Sequence, residues 1–282
     1  MKRKFKYQEL FLAGWMLLLL LPSCTLEKKL GKEFLTQAPQ ICIEVYTPEN
    51  LYKFSHKGEI IAGFDSLSST QQDSALYASS RFIRYTDDSV FLDRYVNSFI
   101  DELRSIGFRV FVDSSVDTIL RTQPQAYVVN MSQIQMDEYF EPFEDSEPVG
   151  DTVFHKSFEL NAVDASSWFE LSKYNVVKPV KTILYSSFTA SDGFAGNFVM
   201  NGFSMDIQYR YKIDSLRMSD IYDLASYSGR HNAVYLFDYF MNQFIAYHMP
   251  EGFEIMGYLH YNPSRKTFDF TDEEKFEVLK NK

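Results

Sequence analysis

Five histidines, two cysteines and a run of carboxylates are the side chains here able to do acid–base, nucleophilic or metal chemistry. His56, His155, His231, His248 and His260 are scattered, with no His-x-x-x-His and no Cys-x-x-Cys among them. A close-spaced tetrahedral metal site is therefore not written in the chain. His248 and His260 flank a break at Pro250, which would let a turn bring them together. No serine has Gly-x-Ser-x-Gly or Ser-x-x-Lys around it. Cys42 with a distant histidine would make a thiol–imidazole pair, but it lies in Ile41-Cys42-Ile43-Glu44-Val45-Tyr46, which reads as a buried strand holding an inert thiol. Glu138, Glu141, Glu144, Asp145, Glu147 and Asp151 offer oxygens that suit calcium, without the spacing of a calcium loop. Pro142 and Pro148 make that stretch read as a solvated loop, open to a basic partner.

The stretch Asp192-Gly193-Phe194-Ala195-Gly196-Asn197 follows a strand, but has no Lys and no following helix to hold a phosphate. It reads as a turn using the freedom of Gly193 and Gly196. Phe188, Phe194 and Phe198 around it are a candidate contact surface. Tyr227, Tyr235, Tyr239 and Tyr247 read as a core edge, or as a groove that stacks sugars. No catalytic residue, cofactor site or metal site is assigned.

Cys24 differs because its neighbourhood has a direction. Lys2, Arg3, Lys4 and Lys6 precede an apolar run at residues 11–21, too short to cross a bilayer that needs ~20 apolar residues. Basic start, apolar core and small residue together mark residues 1–23 as a secretion leader. Leu21-Pro22-Ser23-Cys24 resembles the lipobox of bacterial lipoproteins, with Pro22 as a departure at its most permissive position. The resemblance implies cleavage before Cys24, a diacylglycerol on its thiol and acylation of its freed amine. Each buried CH₂ then adds ~0.8 kcal/mol of membrane affinity. Thr25-Leu26-Glu27-Lys28-Lys29 has no acidic cluster of the kind that marks surface-exported lipoproteins, and Thr25 is not the Asp that retains lipoproteins at an inner membrane. The expected address is the outer membrane, on its periplasmic face, with the cell surface as the alternative.

The net charge of −10 excludes a general phosphate-binding surface, so no nucleic acid is expected. With Cys24 lipidated, Cys42 has no disulfide partner. The 26 Phe and 19 Tyr suit sheets and partner surfaces alike.

These side chains need elements to hold them. Residues 24–40, with Lys28, Lys29 and Lys32, read as a lipidated cysteine and polar tether. Strands are expected at residues 41–46 and 60–64, then a loop at 66–73, and residues 75–85 stay undecided between helix and strand. Phe91, Leu92, Tyr95, Val96, Phe99, Ile100 and Leu103 fall at helical spacing between a cap at Asp87 or Asp88 and a stop at Gly107. A strand at 108–112, a short helix at 114–121, long strands at 126–140 and 152–162 and an acidic loop at 141–151 follow. Strands at 167–171, 181–189 and 203–212 extend the sheet. A second helical block covers 218–248, broken at Gly229 and restarted by a cap at Asn232. A hairpin at 253–270 and a charged tail at 271–282 complete the chain. The fold class is α/β in the α+β sense: one domain over residues 41–270, a mixed, largely antiparallel sheet and two main helical blocks.

This order resembles the α/β fold of periplasmic auxiliary lipoproteins attached to envelope transport systems. The helix at 91–106 leads into the strand at 108–112, and the late helix packs back, over residues 41–249. The resemblance implies a lipid-anchored, non-enzymatic accessory or scaffold subunit with a protein partner in the envelope. A surface lipoprotein binding glycan or another nutrient, and an envelope hydrolase with a site assembled from distant residues, are the alternatives.

Overall fold

The computed structural model describes residues 25–57, 63–112, 122–174, 176, 180–203, 206–272 and 274–279. Cys24 and the leader, most of the strand expected at 60–64 and the helix expected at 114–121 lie outside them.

Apolar residues recur every fourth position at Leu26, Leu30 and Phe34, and this stripe overrides the polar reading of the tether. Residues 26–37 form a helix, α1 (Leu26–Gln37), capped by the Thr25 side chain, with Leu30, Phe34 and the following Ala38 buried in the core. The other helices are α2 (Ser69–Ser79), α3 (Asp88–Ile106) and α4 (Met218–His248). α2 begins within the expected loop at a Ser68–Gln71 capping box, so the helical reading holds for residues 75–79. α3 matches its sequence signals: Asp87 accepts from the Ser89 and Val90 N–H groups, and Gly107 closes it at φ 120°.

Strands β1 (Cys42–Tyr46), β2 (Leu51–Ser55), β3 (Arg109–Val112), β4 (Ala126–Val149), β5 (Thr152–Lys173), β6 (Thr182–Ser191) and β11 (Glu277–Leu279) form one sheet in the order β11-β6-β5-β4-β1-β3, with β2 also on β4. β1 runs parallel to β3 and β4, and β2 parallel to β4, while β4-β5-β6-β11 is antiparallel. The fold class is α+β with a mixed, mostly antiparallel sheet. The charged tail contributes β11, and Phe276 before it is buried. β7 (Gly193–Met200) with β8 (Ile207–Asp214), and β9 (Tyr258–Asn262) with β10 (Thr267–Thr271), are separate hairpins.

α3 and α4 cover one face of the sheet. Phe91, Tyr95, Phe99 and Leu103 meet Phe237, Phe240 and Met241 over Ile43, Val129, Phe169 and Leu184. A bulge at Met131/Gln133 keeps this face continuous. The buried series runs Val129, Met131, then Ile134, Met136, Glu138, a step of three that alternation alone forbids.

Gly229 does not break α4. A Cβ there would lie 2.2 Å from the Tyr95 carbonyl oxygen, so glycine is what lets α3 and α4 touch backbone to backbone. Asn232 is not a cap. It lies buried mid-helix, donating to Tyr95 Oη at 2.6 Å and accepting from Ser186 Oγ at 2.6 Å, while Tyr95 donates to Ser167 Oγ at 2.7 Å.

Candidate functional site

The acidic stretch at 141–151 is not a loop. β4 and β5 stay paired from Phe140/Asn161 out to Val149/Thr152, and only Gly150 and Asp151 turn. The neighbours stop earlier: β2 leaves β4 at Glu138, and β6 leaves β5 at Ala162. Beyond that point the ribbon is an arm, roughly 30 Å long at ~3.3 Å per residue. Pro142 and Pro148 give this segment the composition of a loop because proline cannot donate to a ladder. Their even spacing puts both missing N–H groups on one edge of the ribbon, where proline and charge protect an unpaired strand.

The arm is stiffened by the hairpin β7–β8. Phe143, Phe154 and Phe158 lie on one face of the ribbon by strand alternation, opposite the face that carries the helices. Phe194 packs 4.2 Å from Phe143 and 4.9 Å from Phe158, and Tyr211 lies 4.6 Å from Phe158 (ring centroids). Phe198 meets Tyr209 at 4.7 Å, and Tyr209 donates to Asp145 at 2.8 Å. A Cβ at Gly196 would meet the Tyr209 ring at 2.5–2.8 Å, so Gly196 serves close packing within a strand rather than a turn. This corrects the expected loop: Phe194 and Phe198 sit in β7, half-buried, joining two hairpins. Phe188 is elsewhere, in β6, packed edge-on to Tyr227, tilted against His231 and stacked on Tyr235 of α4. The three rings do not form one surface.

The uncovered face of the arm carries Glu144 and Glu159, both exposed. Register pairs Pro142 with Glu159 and Glu144 with Ser157, which makes the two glutamates diagonal neighbours. Like charges so placed repel. With Glu141, Glu147 and Asp151 also exposed, the arm presents a negative surface on a stiff support.

The root of the arm is a buried polar cluster that sequence reading missed. Lys57 Nζ stands 2.6 Å from Glu138 Oε1 and 2.7 Å from Asn161 Oδ1, with both charged side chains almost wholly buried. Glu138 also accepts the N–H groups of Arg81, Phe82 and Ile83. Asn161, through N–H and Nδ2, donates to Asp192 Oδ2, and Asp192 Oδ1 accepts from the Leu216 N–H at 2.7 Å. Burial works to raise the Asp192 carboxyl, but the bonds from Leu216 and Asn161 outweigh it and hold it below the ordinary value. Asp192 thus ties both ends of the β7–β8 segment to the strand from which the arm leaves.

The histidines take separate partners. His248 stacks on Phe244, and His260 Nδ1 lies 2.6 Å from Asp238 Oδ2, so the two do not form a pair. Asp238 also accepts the Tyr261 N–H, and Asn242, one turn on, bonds both backbone groups of Leu259. This Asp–His pair therefore docks β9 onto α4. His260 and Ser264 border a cleft of about 230 Å³ with Arg230 and His231. Among the described residues no cluster of His, Cys, Asp or Glu is arranged to hold a metal ion, and no helix is long and apolar enough to cross a membrane. Cys42 is buried. A larger cleft of about 610 Å³ lies at the end of β1, with Tyr46, Tyr52, Asn130 and Glu170 in its wall. Glu44, two residues before Tyr46 in β1, is fully buried; its Oε1 accepts from Tyr46 Oη, and its Oε2 has no hydrogen-bond partner among the described residues.

Burial pushes the Asp238 carboxyl up to about 6, against the opposing pull of His260 and the Tyr261 N–H. The folded protein therefore holds this proton where the unfolded chain has released it. Its contribution to stability is complete below the ordinary value of 3.8 and lost as pH rises through about 6. The carboxyls of Glu27, Asp87 and Asp192, held below their ordinary values, act in the opposite sense, so the contrast with Asp238→Asn isolates the effect. The melting temperature of wild type minus that of the variant is expected to fall as pH rises from about 4 to about 7. A difference that stays flat or rises refutes the assignment.

No family model matches the chain, and no curated protein matches it. Among solved structures it is similar to a chain described as a neuraminyllactose-binding hemagglutinin homolog from Helicobacter pylori. The two share 7% identity at a TM-score of 0.32, over 74% of this chain and 88% of the other.

Proposed function

We propose that the protein is a lipid-anchored, non-enzymatic accessory subunit of a bacterial envelope transport or assembly machine. Its anchor is Cys24, its place is the periplasmic face of the outer membrane, and it offers its acidic arm to a partner with a basic surface. The observation that carries this reading is the arm: a two-hairpin projection, glued by aromatic rings and rooted in a buried polar cluster, whose outer face places Glu144 beside Glu159. A stiff arm preserves the arrangement of these charges between the free and bound states, so little ordering entropy is lost on binding. Opposed charges then set association rate and partner choice.

Affinity purification from detergent-solubilised membranes tests it. The wild-type chain is expected to bring down an envelope protein. Glu144→Lys with Glu159→Lys is expected to lose it by about tenfold or more. Both sites are exposed, so stability should change by less than about 0.5 kcal/mol each. A chain that purifies alone, or a partner retained by the double variant, refutes the reading.

A second reading, a surface lipoprotein that binds a glycan, is favoured by the polar cleft bordered by Tyr46 and Tyr52. It requires the domain to be cleaved by protease added to intact cells, whereas the periplasmic reading requires protection.

A further inference from the structure

The loop between α4 and β9 exposes three large apolar side chains in four residues. Phe253, Ile255 and Met256 are 63%, 47% and 70% exposed. Among them the Met256 N–H donates to Glu27 Oε1 at 3.1 Å. Glu27 is itself 4% exposed and stands in the first turn of α1. The loop is therefore fastened to the N-terminal end of the helix that starts just after Cys24. One peptide bond sets the Cα atoms of Cys24 and Thr25 about 3.8 Å apart. Acyl chains on Cys24 leave α1 no slack: its first turn, and the loop bonded to it, must stand at the bilayer surface.

We propose that Phe253, Ile255 and Met256 insert into the phospholipid surface beside the anchor and fix how the domain stands on the membrane. This rests on the reading of Cys24 as the lipidated residue. The chemistry of the patch suits the role. Apolar side chains enter the boundary between headgroups and acyl chains, while the exposed Lys29 and Lys32 of α1 meet lipid phosphates. Glu251 and Glu254, also exposed, remain in the aqueous headgroup layer. Because α1 is packed into the core through Leu30 and Phe34, the orientation set at the membrane is passed to the arm rather than lost in a flexible tether.

The test uses the processed full chain carrying Phe253→Trp, reconstituted into vesicles of phosphatidylethanolamine and phosphatidylglycerol with and without brominated acyl chains. Flotation reads the anchor; quenching by bromine reads the patch. The protein is expected to float, and the emission of the introduced indole to fall about twofold in brominated vesicles, once the Trp168 background of the parent chain is subtracted. Adding Ile255→Asp and Met256→Asp is expected to abolish that quenching while flotation persists. A chain that floats but shows no quenching of the introduced indole overturns the patch and leaves the anchor reading intact. A chain that does not float overturns both.

Discussion

Gly229→Ala is expected to lower the stability of the domain by about 3 kcal/mol or more, although alanine is the better helix former by about 1 kcal/mol. Gly229 lies inside α4, so on propensity alone the substitution would stabilise. The new Cβ would lie 2.2 Å from the Tyr95 oxygen, 3.1 Å from its carbonyl carbon and 3.2 Å from the Phe99 nitrogen. All three are backbone atoms, which cannot swing aside as a side chain can. The helices must separate, and the nearby Asn232–Tyr95 bond of 2.6 Å stretches with them. That network is fully buried, so each donor or acceptor left unmade costs about 1–3 kcal/mol more. At about 2–4 °C per kcal/mol for a domain of this size, the melting temperature should fall by roughly 6–12 °C. Urea unfolding with an unchanged slope would show that the loss is in the native state. A variant as stable as wild type would mean that α3 and α4 do not touch at this point.

The same residue shows where a sequence stops being readable. A glycine within an apolar helical pattern looks like a break, because its local preference is all that the sequence displays. Only the partner helix reveals that the missing Cβ is what matters. α3 was legible because its signals are local: a capping aspartate, an apolar stripe and a terminal glycine all belong to one segment. α1 was masked by its own lysines, whose charges occupy the outer face while Leu26, Leu30 and Phe34 form the inner one.

The arm was illegible for a different reason. Phe143, Phe154 and Phe158 are an apolar face only because β7–β8 covers them, and nothing near them in sequence announces that cover. Prolines and carboxylates on an isolated ribbon carry the composition of a loop, because both protect an open edge. The acidic stretch stands out in the sequence, and so do Phe188, Phe194 and Phe198 as contact candidates. That Phe194 and Phe198, without Phe188, join the acidic stretch in one object is not legible there, since their contact spans a long separation along the chain. The root cluster left no signal either. Lys57 and Glu138 are ordinary charged residues until the bulge at Met131/Gln133 turns Glu138 inward.

Lys57→Met is expected to destabilise the protein by about 3–5 kcal/mol and to loosen the arm at its root. Methionine fills much of the volume between the Phe82 and Phe140 rings, which lie 5.5 and 4.8 Å from the ammonium, so a cavity is not the main effect. The loss is electrostatic. Glu138 would keep three backbone N–H donors but no opposite charge, at a side chain with no exposed surface. Asn161 would lose the cation on its Oδ1 while still donating to Asp192. Glu138→Gln alone should cost a similar amount, because it strands the ammonium and turns an amide donor toward N–H groups. Combining the two should cost less than their sum, since neither variant then leaves a buried charge unpaired. Hydrogen exchange separates local from global effects. If the cluster holds the arm, the backbone amides of Phe143 and Phe158 should lose protection in Lys57→Met by a larger factor than those of Phe99 in α3. Equal losses at both places would make the cluster a stabiliser of the whole fold with no special claim on the arm.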